Sequence, residues 1–135
     1  MMGIDIQRVR EIDSIENHED RILAAAVMYA EMGLYVIPLR PNAKILPAKR
    51  TGIDYASATR HVQTVQSWFG EDGKFRGYNL GLACGASDGI YAVDVDTKQD
   101  DDGRTGFDTL AELESNHGAF DTAVQVTPSG GKHYV

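Results

Sequence analysis

Two glycine-containing turns, each lying between short apolar segments, constrain the fold of this chain most strongly. Segments 79–84 and 90–96 are joined by Gly85-Ala-Ser-Asp-Gly89, and segments 123–127 and 132–135 by Pro128-Ser-Gly-Gly131. Apolar runs of this length bounded by glycine, serine and proline are typical of strands, and the first pair is expected to form a hairpin. Hairpins therefore outnumber βαβ units, which favours an α+β fold with a mixed, largely antiparallel sheet and flanking helices.

Helical periodicity predicts the elements that accompany these strands. The pattern of residues 18–32 places one apolar stripe on a helix, formed by Leu23, Ala26, Val27, Ala30 and Leu34. A strand is expected at 34–39, a long loop at 40–58, a helix from a cap at Thr59 to Phe69, and a third helix from about Phe107 to near Gly118. We therefore predict one domain over residues 18–135, preceded by a loose or weakly helical lead-in over residues 1–17.

Composition excludes several classes of protein. The chain has 135 residues, of which 42% are hydrophobic, and this is enough for one domain with a real core. No apolar run approaches the ~18 residues that a membrane span needs, and the first twenty residues lack the apolar stretch of a secretory signal. Cys84 is the only cysteine, so an intramolecular disulfide framework and a cysteine-rich zinc site are excluded. We expect a cytoplasmic protein that does not bind membranes.

The charges are distributed unevenly along the chain. The net charge is -7, yet residues 32–93 carry seven bases against four acids, while residues 94–121 carry nine acids against two bases. Arg40, Lys44, Lys49 and Arg50 lie in a stretch without acids. This basic segment is either a solvated loop that balances charge or a contact for phosphate or template, and the sequence leaves both interpretations open.

Asp94 and Asp96 are the first candidate site residues. Residues i and i+2 of a strand point to the same face with Cα atoms roughly 6.5–7 Å apart, so these carboxylates would lie side by side, while Tyr91, Val93 and Val95 occupy the other face. A shared divalent cation relieves their repulsion, and carboxylate oxygens suit Mg²⁺ or Mn²⁺. Read alone, the pair is equally compatible with a strand that runs into an acidic surface loop.

The second candidate is Ser129-Gly-Gly-Lys-His133. Two glycines allow close backbone approach to a ligand, and consecutive N–H groups can form an anion-binding nest. Ser129 adds a hydroxyl, and His133 can donate to a phosphate oxygen. On its own, the motif also fits an ordinary glycine-rich hairpin turn beside a structural histidine.

Taken in order along residues 20–135, these motifs resemble the N-terminal domain of bifunctional DNA primase/polymerases, in the archaeo-eukaryotic primase superfamily. The most specific part of the resemblance is the Asp94/Asp96 pair followed by Ser-Gly-Gly-x-His; the other matching segments are Gly33–Leu39, Lys44 with Pro47, Ala56–Thr59, Trp68 and Asn79–Gly85.

The resemblance implies a primase–polymerase fold with an RRM-like α/β catalytic core. It implies Asp94 and Asp96 as catalytic metal ligands for Mg²⁺ or Mn²⁺ and His133 as a further catalytic residue. Nucleotide contacts are implied at Lys44 and at the motif residues Ser129, Gly130, Gly131 and His133.

The activity that the resemblance implies is templated nucleotidyl transfer by a two-metal mechanism. Primer synthesis or DNA polymerisation in plasmid or phage replication would use NTP or dNTP on a single-stranded template or primer–template, with a helicase or another replication protein as a further partner. Family members carry a third acidic ligand on a later strand, whereas this sequence ends two residues after His133, so we expect a domain incomplete at its C-terminus. The alternative is a non-catalytic module that binds nucleotide, metal or a replication protein and modulates replication.

Overall fold

The computed structural model describes residues 4–85 and 90–135. The chain divides into two compact units, Met1–Asp88 and Gly89–Val135. The described part contains four α-helices, two 3₁₀ turns and two small antiparallel sheets. The α+β class expected from the sequence is thereby confirmed, with the strands divided between two sheets.

The first unit contains three helices and a two-stranded sheet. Its elements are α1 (Ile6–Asp13), α2 (His18–Glu31), β1 (Tyr35–Leu39), the 3₁₀ turns Lys49–Thr51 and Tyr55–Ser57, α3 (Val62–Phe69) and β2 (Asn79–Ala83). Asp5 caps α1 by accepting hydrogen bonds from the Gln7 and Arg8 N–H groups, which makes part of the predicted lead-in a regular helix. Asn17 caps α2 in the same way through the Asp20 N–H.

The core of this unit forms where α2, α3 and β1 meet. Ala26, Ala30, Val36, Val65 and Phe69 are buried together. The Trp68, Phe75 and Tyr78 rings extend this core through edge-to-face contacts. On its surface, Arg76 donates to the Asp20 carboxylate at 2.8 Å, and this hydrogen bond raises the pKa of the guanidinium.

The helix α3 begins later than the sequence suggests. Its N-cap is His61, not Thr59. Thr59 instead forms a β-bridge with Val36, with N–O distances of 2.8 and 2.9 Å in the two directions. The backbone of Thr59 therefore pairs with β1. Threonine is favoured both at helix N-caps and in other backbone-bonded positions, so the residue type alone did not predict this pairing.

The second unit is a three-stranded antiparallel sheet with one helix. Its elements are β3 (Val93–Val95), α4 (Gly106–His117), β4 (Val124–Val126) and β5 (Lys132–Tyr134), and the strand order is β3-β5-β4. The helix α4 packs on β3, where Leu110 and Val95 are buried. The Pro128–Gly131 turn joins β4 to β5, as the sequence predicts.

The prediction of a hairpin between segments 79–84 and 90–96 is wrong, because β2 and β3 do not pair with each other. β2 pairs with β1, and β3 pairs with β5. A glycine-rich connection indicates where a strand ends, but the partner of each strand is decided by the apolar surface that it can cover elsewhere in the chain. Residues 86–89 of this connection lie outside the described residues.

None of the helices in the described part of the chain is long and apolar enough to cross a membrane.

Candidate active site

The strand β3 separates a buried residue from two exposed carboxylates. Val95 is only 3% exposed and packs under α4, so Asp94, its neighbour on the strand, projects from the opposite side, and the exposed Asp96 follows directly after the strand. Tyr91 and Val93, which the sequence assigns to the same face as Val95, are 67% and 40% exposed, so that face is only partly buried. Of these residues, only Val95, at the C-terminal end of β3, is covered by α4. Its burial fixes which face of the strand the Asp94 carboxylate occupies.

Strand register brings Asp94 and His133 together. They are direct cross-strand partners in the antiparallel β3–β5 pair. The His133 Nε2 atom lies 3.4 Å from the Asp94 Oδ1 atom, with the two side chains 30% and 71% exposed. The sequence separates these residues by almost forty positions, so the structure supplies a contact that their spacing could not. An imidazole N–H in this position can donate to the carboxylate or to an anion bound beside it.

Gln125 completes a polar row across the sheet. It is the cross-strand partner of His133 on β4, so Asp94, His133 and Gln125 occupy adjacent strands on one face. Sequence reasoning missed Gln125, although a signal was present. The alternation Val124-Gln-Val126 places the amide on the face opposite the two valines.

The Ser129-Gly-Gly turn is shaped by backbone hydrogen bonds. The Thr127 N–H donates to the Gly131 carbonyl oxygen, and the Gly130 N–H donates to the Thr127 carbonyl oxygen, both at 2.9 Å. Gly130 has a φ of 88°, which glycine adopts without strain. The Gly130 N–H is thus engaged within the turn, and its role toward a nucleotide stays a prediction.

Two threonines hold Ser129. The Thr127 and Ser129 hydroxyls are 3.3 Å apart, and the Thr97 hydroxyl donates to the Ser129 carbonyl oxygen at 3.4 Å. Since Thr97 directly follows Asp96, the turn is linked to the end of the carboxylate-bearing strand. Ser129 itself is exposed at this edge of the polar face.

Gly131 permits a close backbone approach. A methyl group at its Cα would lie 2.5 Å from the Val95 carbonyl oxygen and 3.0 Å from the Thr127 hydroxyl. No rotation of a side chain relieves a clash with a backbone oxygen. The second glycine of the motif therefore brings the turn against β3, beside Asp96.

The N-terminus of α4 approaches Asp96. The Gly106 N–H donates to the Asp96 carbonyl oxygen at 2.8 Å, and the Asp96 Oδ1 atom accepts from the Lys98 N–H at 3.1 Å. These two hydrogen bonds fix the backbone of Asp96 beside the start of α4 and orient its carboxylate toward the following turn.

The acidic loop after β3 uses its charged side chains for local hydrogen bonds and one ion pair. The Asp100 carboxylate accepts the N–H groups of Asp102 and Arg104, each at 2.9 Å, and Arg104 pairs with Glu112 at 3.1 Å. This aspartate closes a local turn, as aspartates commonly do. The Asp94 carboxylate is placed differently, because the side chain beside it is His133 from a distant strand.

The side chains of Asp94 and Asp96 match the metal that the motif implies in chemical type. Carboxylate oxygens suit Mg²⁺ or Mn²⁺. Among residues 4–85 and 90–135, no three His, Cys, Asp or Glu side chains are grouped so as to hold a metal ion. The role of Asp94 and Asp96 as metal ligands therefore stays a prediction.

Lys44 belongs to the first unit. It lies on an exposed loop whose base is closed by the Arg40 N–H donating to the Ile45 carbonyl oxygen at 2.8 Å. Its contact with a nucleotide stays a prediction.

A family model described as the N-terminal domain of bifunctional DNA primase/polymerases matches residues 26–135. The chain belongs to this primase/polymerase family. The match spans the carboxylate pair and the Ser-Gly-Gly-x-His turn, so the resemblance noted in the sequence is confirmed. Family membership implies binding of nucleotide and DNA, and the family's general chemistry is metal-dependent nucleotidyl transfer. Neither the curated proteins nor the solved structures contain a match to this primase/polymerase chain.

The close approach at Gly131 generates a prediction about stability. Gly131→Ala should lower the free energy of unfolding by about 1–3 kcal/mol, because β3 and the turn must move apart. Urea denaturation measures the change. Ser129→Ala is the control in the same turn, and its exposed side chain should change the free energy by no more than about 0.5 kcal/mol. Equal stabilities for the two variants would contradict the packing described here.

Proposed function

We propose that this chain catalyses templated transfer of a nucleoside monophosphate from NTP or dNTP to a 3′-hydroxyl, with release of pyrophosphate. The reaction would serve primer synthesis or DNA polymerisation during plasmid or phage replication in the cytoplasm. The observation that carries the proposal is the row of Asp94, His133 and Gln125 on one sheet face, with the Ser-Gly-Gly turn at its edge.

Asp94 and Asp96 would hold the divalent cations of a two-metal site. When bound, Mg²⁺ or Mn²⁺ neutralises triphosphate charge and lowers the pKa of the attacking 3′-hydroxyl. The carboxylates suit this role because both are exposed, Asp94 on β3 and Asp96 directly after it. Burial of Val95 beneath α4 keeps the strand from turning them away.

His133 and Ser129 would contact the phosphates. The imidazole lies 3.4 Å from the Asp94 carboxylate, so its N–H group would be available to a phosphate bound beside that carboxylate. Ser129 offers a hydroxyl from a turn whose carbonyl is held by Thr97. Donors fixed beside the reacting phosphate stabilise the charge that develops on its oxygens.

Gln125 would contact the neutral part of the nucleotide. It lies on the side of His133 away from Asp94, and its amide both donates and accepts hydrogen bonds. Such a group suits a sugar hydroxyl or a base edge better than a phosphate. We propose residues 18–135 as the unit that performs these steps, residues 1–17 as a lead-in, and a helicase or another replication protein as a partner.

The carboxylates provide the main test. Asp94→Asn/Asp96→Asn should abolish incorporation of labelled nucleotide into a primer–template in the presence of Mn²⁺, because the cation loses its protein ligands. Asp101→Asn/Asp102→Asn is the matched control, since it removes two negative charges from the neighbouring loop, and it should retain activity. If both double variants synthesise DNA equally, these carboxylates do not hold the catalytic cations.

The phosphate and sugar contacts separate in nucleotide titrations. His133→Ala should raise the KM for dNTP roughly 10- to 100-fold, as expected for a lost hydrogen bond to a charged group, and should also lower kcat. Gln125→Ala should raise KM roughly 2- to 10-fold and leave kcat nearly unchanged, because a neutral contact is lost equally in the ground and transition states. A KM equal to that of the wild type in both variants would contradict nucleotide contacts by His133 and Gln125.

The same assay distinguishes the alternatives. Binding of Mn²⁺ and nucleotide without incorporation would identify a non-catalytic module that modulates replication through nucleotide, metal or a replication protein. Shortening of the labelled primer in place of extension would indicate a nuclease that uses the same carboxylates.

A further inference from the structure

A groove of about 470 Å³ lies on the first unit, well apart in sequence from the polar row of the second unit. Its walls come from the paired strands β1 and β2 and from the 3₁₀ turn at Tyr55–Ser57. The side chains that shape it are Tyr35, Leu82, Ala83, Tyr55, Ala56 and Ala58. All of its lining residues lie in the described part of the chain, and none of them is charged.

Tyr55 is an exposed aromatic residue of the groove. The residue is 74% exposed, although its backbone is held in a 3₁₀ turn. The Asp54 N–H donates to the Ser57 hydroxyl at 3.1 Å, and the Ser57 hydroxyl lies 3.2 Å from the Asp54 carboxylate, which closes the turn around Tyr55. The neighbouring alanines are small enough to leave space beside the ring. An aromatic face held open to solvent on an ordered turn is suited to stacking.

One cation contacts this aromatic surface, and two more precede its Tyr55 turn in the sequence. The Arg60 guanidinium lies over the Tyr35 ring, 5.5 Å from its centroid. Lys49 and Arg50 form the preceding 3₁₀ turn, to which Lys74 is joined by donating to the Thr51 carbonyl oxygen at 3.4 Å. Asp54 is the one acid between Glu31 and Glu71, and its carboxylate is bonded to Ser57.

We infer that this groove binds an unpaired segment of single-stranded DNA. A base would stack on Tyr55, while Arg60 and the Lys49–Arg50 turn would contact the adjacent phosphates. Aromatic stacking combined with a positive rim is the general basis of single-strand binding, and it tolerates any base because each has a π-face. The bases of a duplex are already stacked on one another, so duplex DNA lacks the group that the groove takes. The inference rests on the proposed function, because templated transfer needs an unpaired strand, and it adds the place in the first unit where that strand would bind without the cation.

Fluorescence anisotropy with a labelled oligothymidine of twelve nucleotides, in EDTA and low salt, tests the groove. Tyr55→Ala should raise Kd roughly 5- to 150-fold, the range for loss of one stacked base, and Tyr55→Phe should bind like the wild type. Tyr91→Ala is the matched control, because Tyr91 is a similarly exposed tyrosine, 67% exposed, in the other unit. Binding by Tyr55→Ala within about twofold of the wild type would overturn the inference.

Two further probes separate stacking from charge. An abasic oligonucleotide of the same length keeps the phosphates, so it should bind the wild type only as weakly as Tyr55→Ala binds oligothymidine. Arg60→Ala should reduce the salt dependence of binding by roughly 0.7 in the log–log slope if it contacts one phosphate. Equal binding of the abasic and normal strands would show that Tyr55 stacks on no base.

The outcome is independent of catalysis. Asp94→Asn/Asp96→Asn leaves the groove intact and should retain at least wild-type affinity for oligothymidine. Loss of nucleotide incorporation with groove binding preserved would count against the proposed function alone, whereas incorporation that persists with unchanged binding by Tyr55→Ala would count against the groove alone.

Discussion

The central position of β5 between β3 and β4 is the constraint on which the candidate site depends. This register places His133 beside Asp94 on one side and Gln125 on the other, and a shift by one residue would move every side chain of β5 to the opposite face. The apolar face settles the register, since Val95 is buried beneath α4. Packing on one face of the sheet therefore determines which polar side chains lie together on the other face.

Gly131 and Thr97 extend this constraint to the Ser-Gly-Gly-x-His motif. Gly131 lies too close to the Val95 carbonyl oxygen for any side chain, and Thr97 holds the Ser129 carbonyl. The positions of the carboxylates, of His133 and of the turn are thus all fixed by contacts with β3 or with the residues directly after it. Asp100 illustrates the contrast, because the nearby acidic loop uses its carboxylate to close its own turn.

Much of the local structure could be predicted from sequence, because period and turn chemistry are local properties. The helix α2 and the strand at Tyr35–Leu39 agree with the predicted segments, and the Asp94/Asp96 and Ser-Gly-Gly-x-His motifs led to the correct family. Strand partners could not be predicted in the same way. The pairing of β2 with β1, the bridge of Thr59 to Val36 and the alignment of Gln125 with His133 depend on contacts distant in sequence. No periodicity encodes such contacts. The sequence therefore predicted Asp94 and His133 as candidate site residues but not their contact, and it did not predict Gln125.

The location of bound Mn²⁺ tests the central claim most directly. Mn²⁺ broadens the NMR signals of amides near it, and substoichiometric addition to ¹⁵N-labelled protein, with Mg²⁺ as the diamagnetic reference, reports which signals weaken first. We predict that these are the amides of residues 93–97 and 131–134, on β3 and β5. First broadening confined to residues 98–104 would place the cation in the acidic loop and contradict a site built on Asp94 and Asp96.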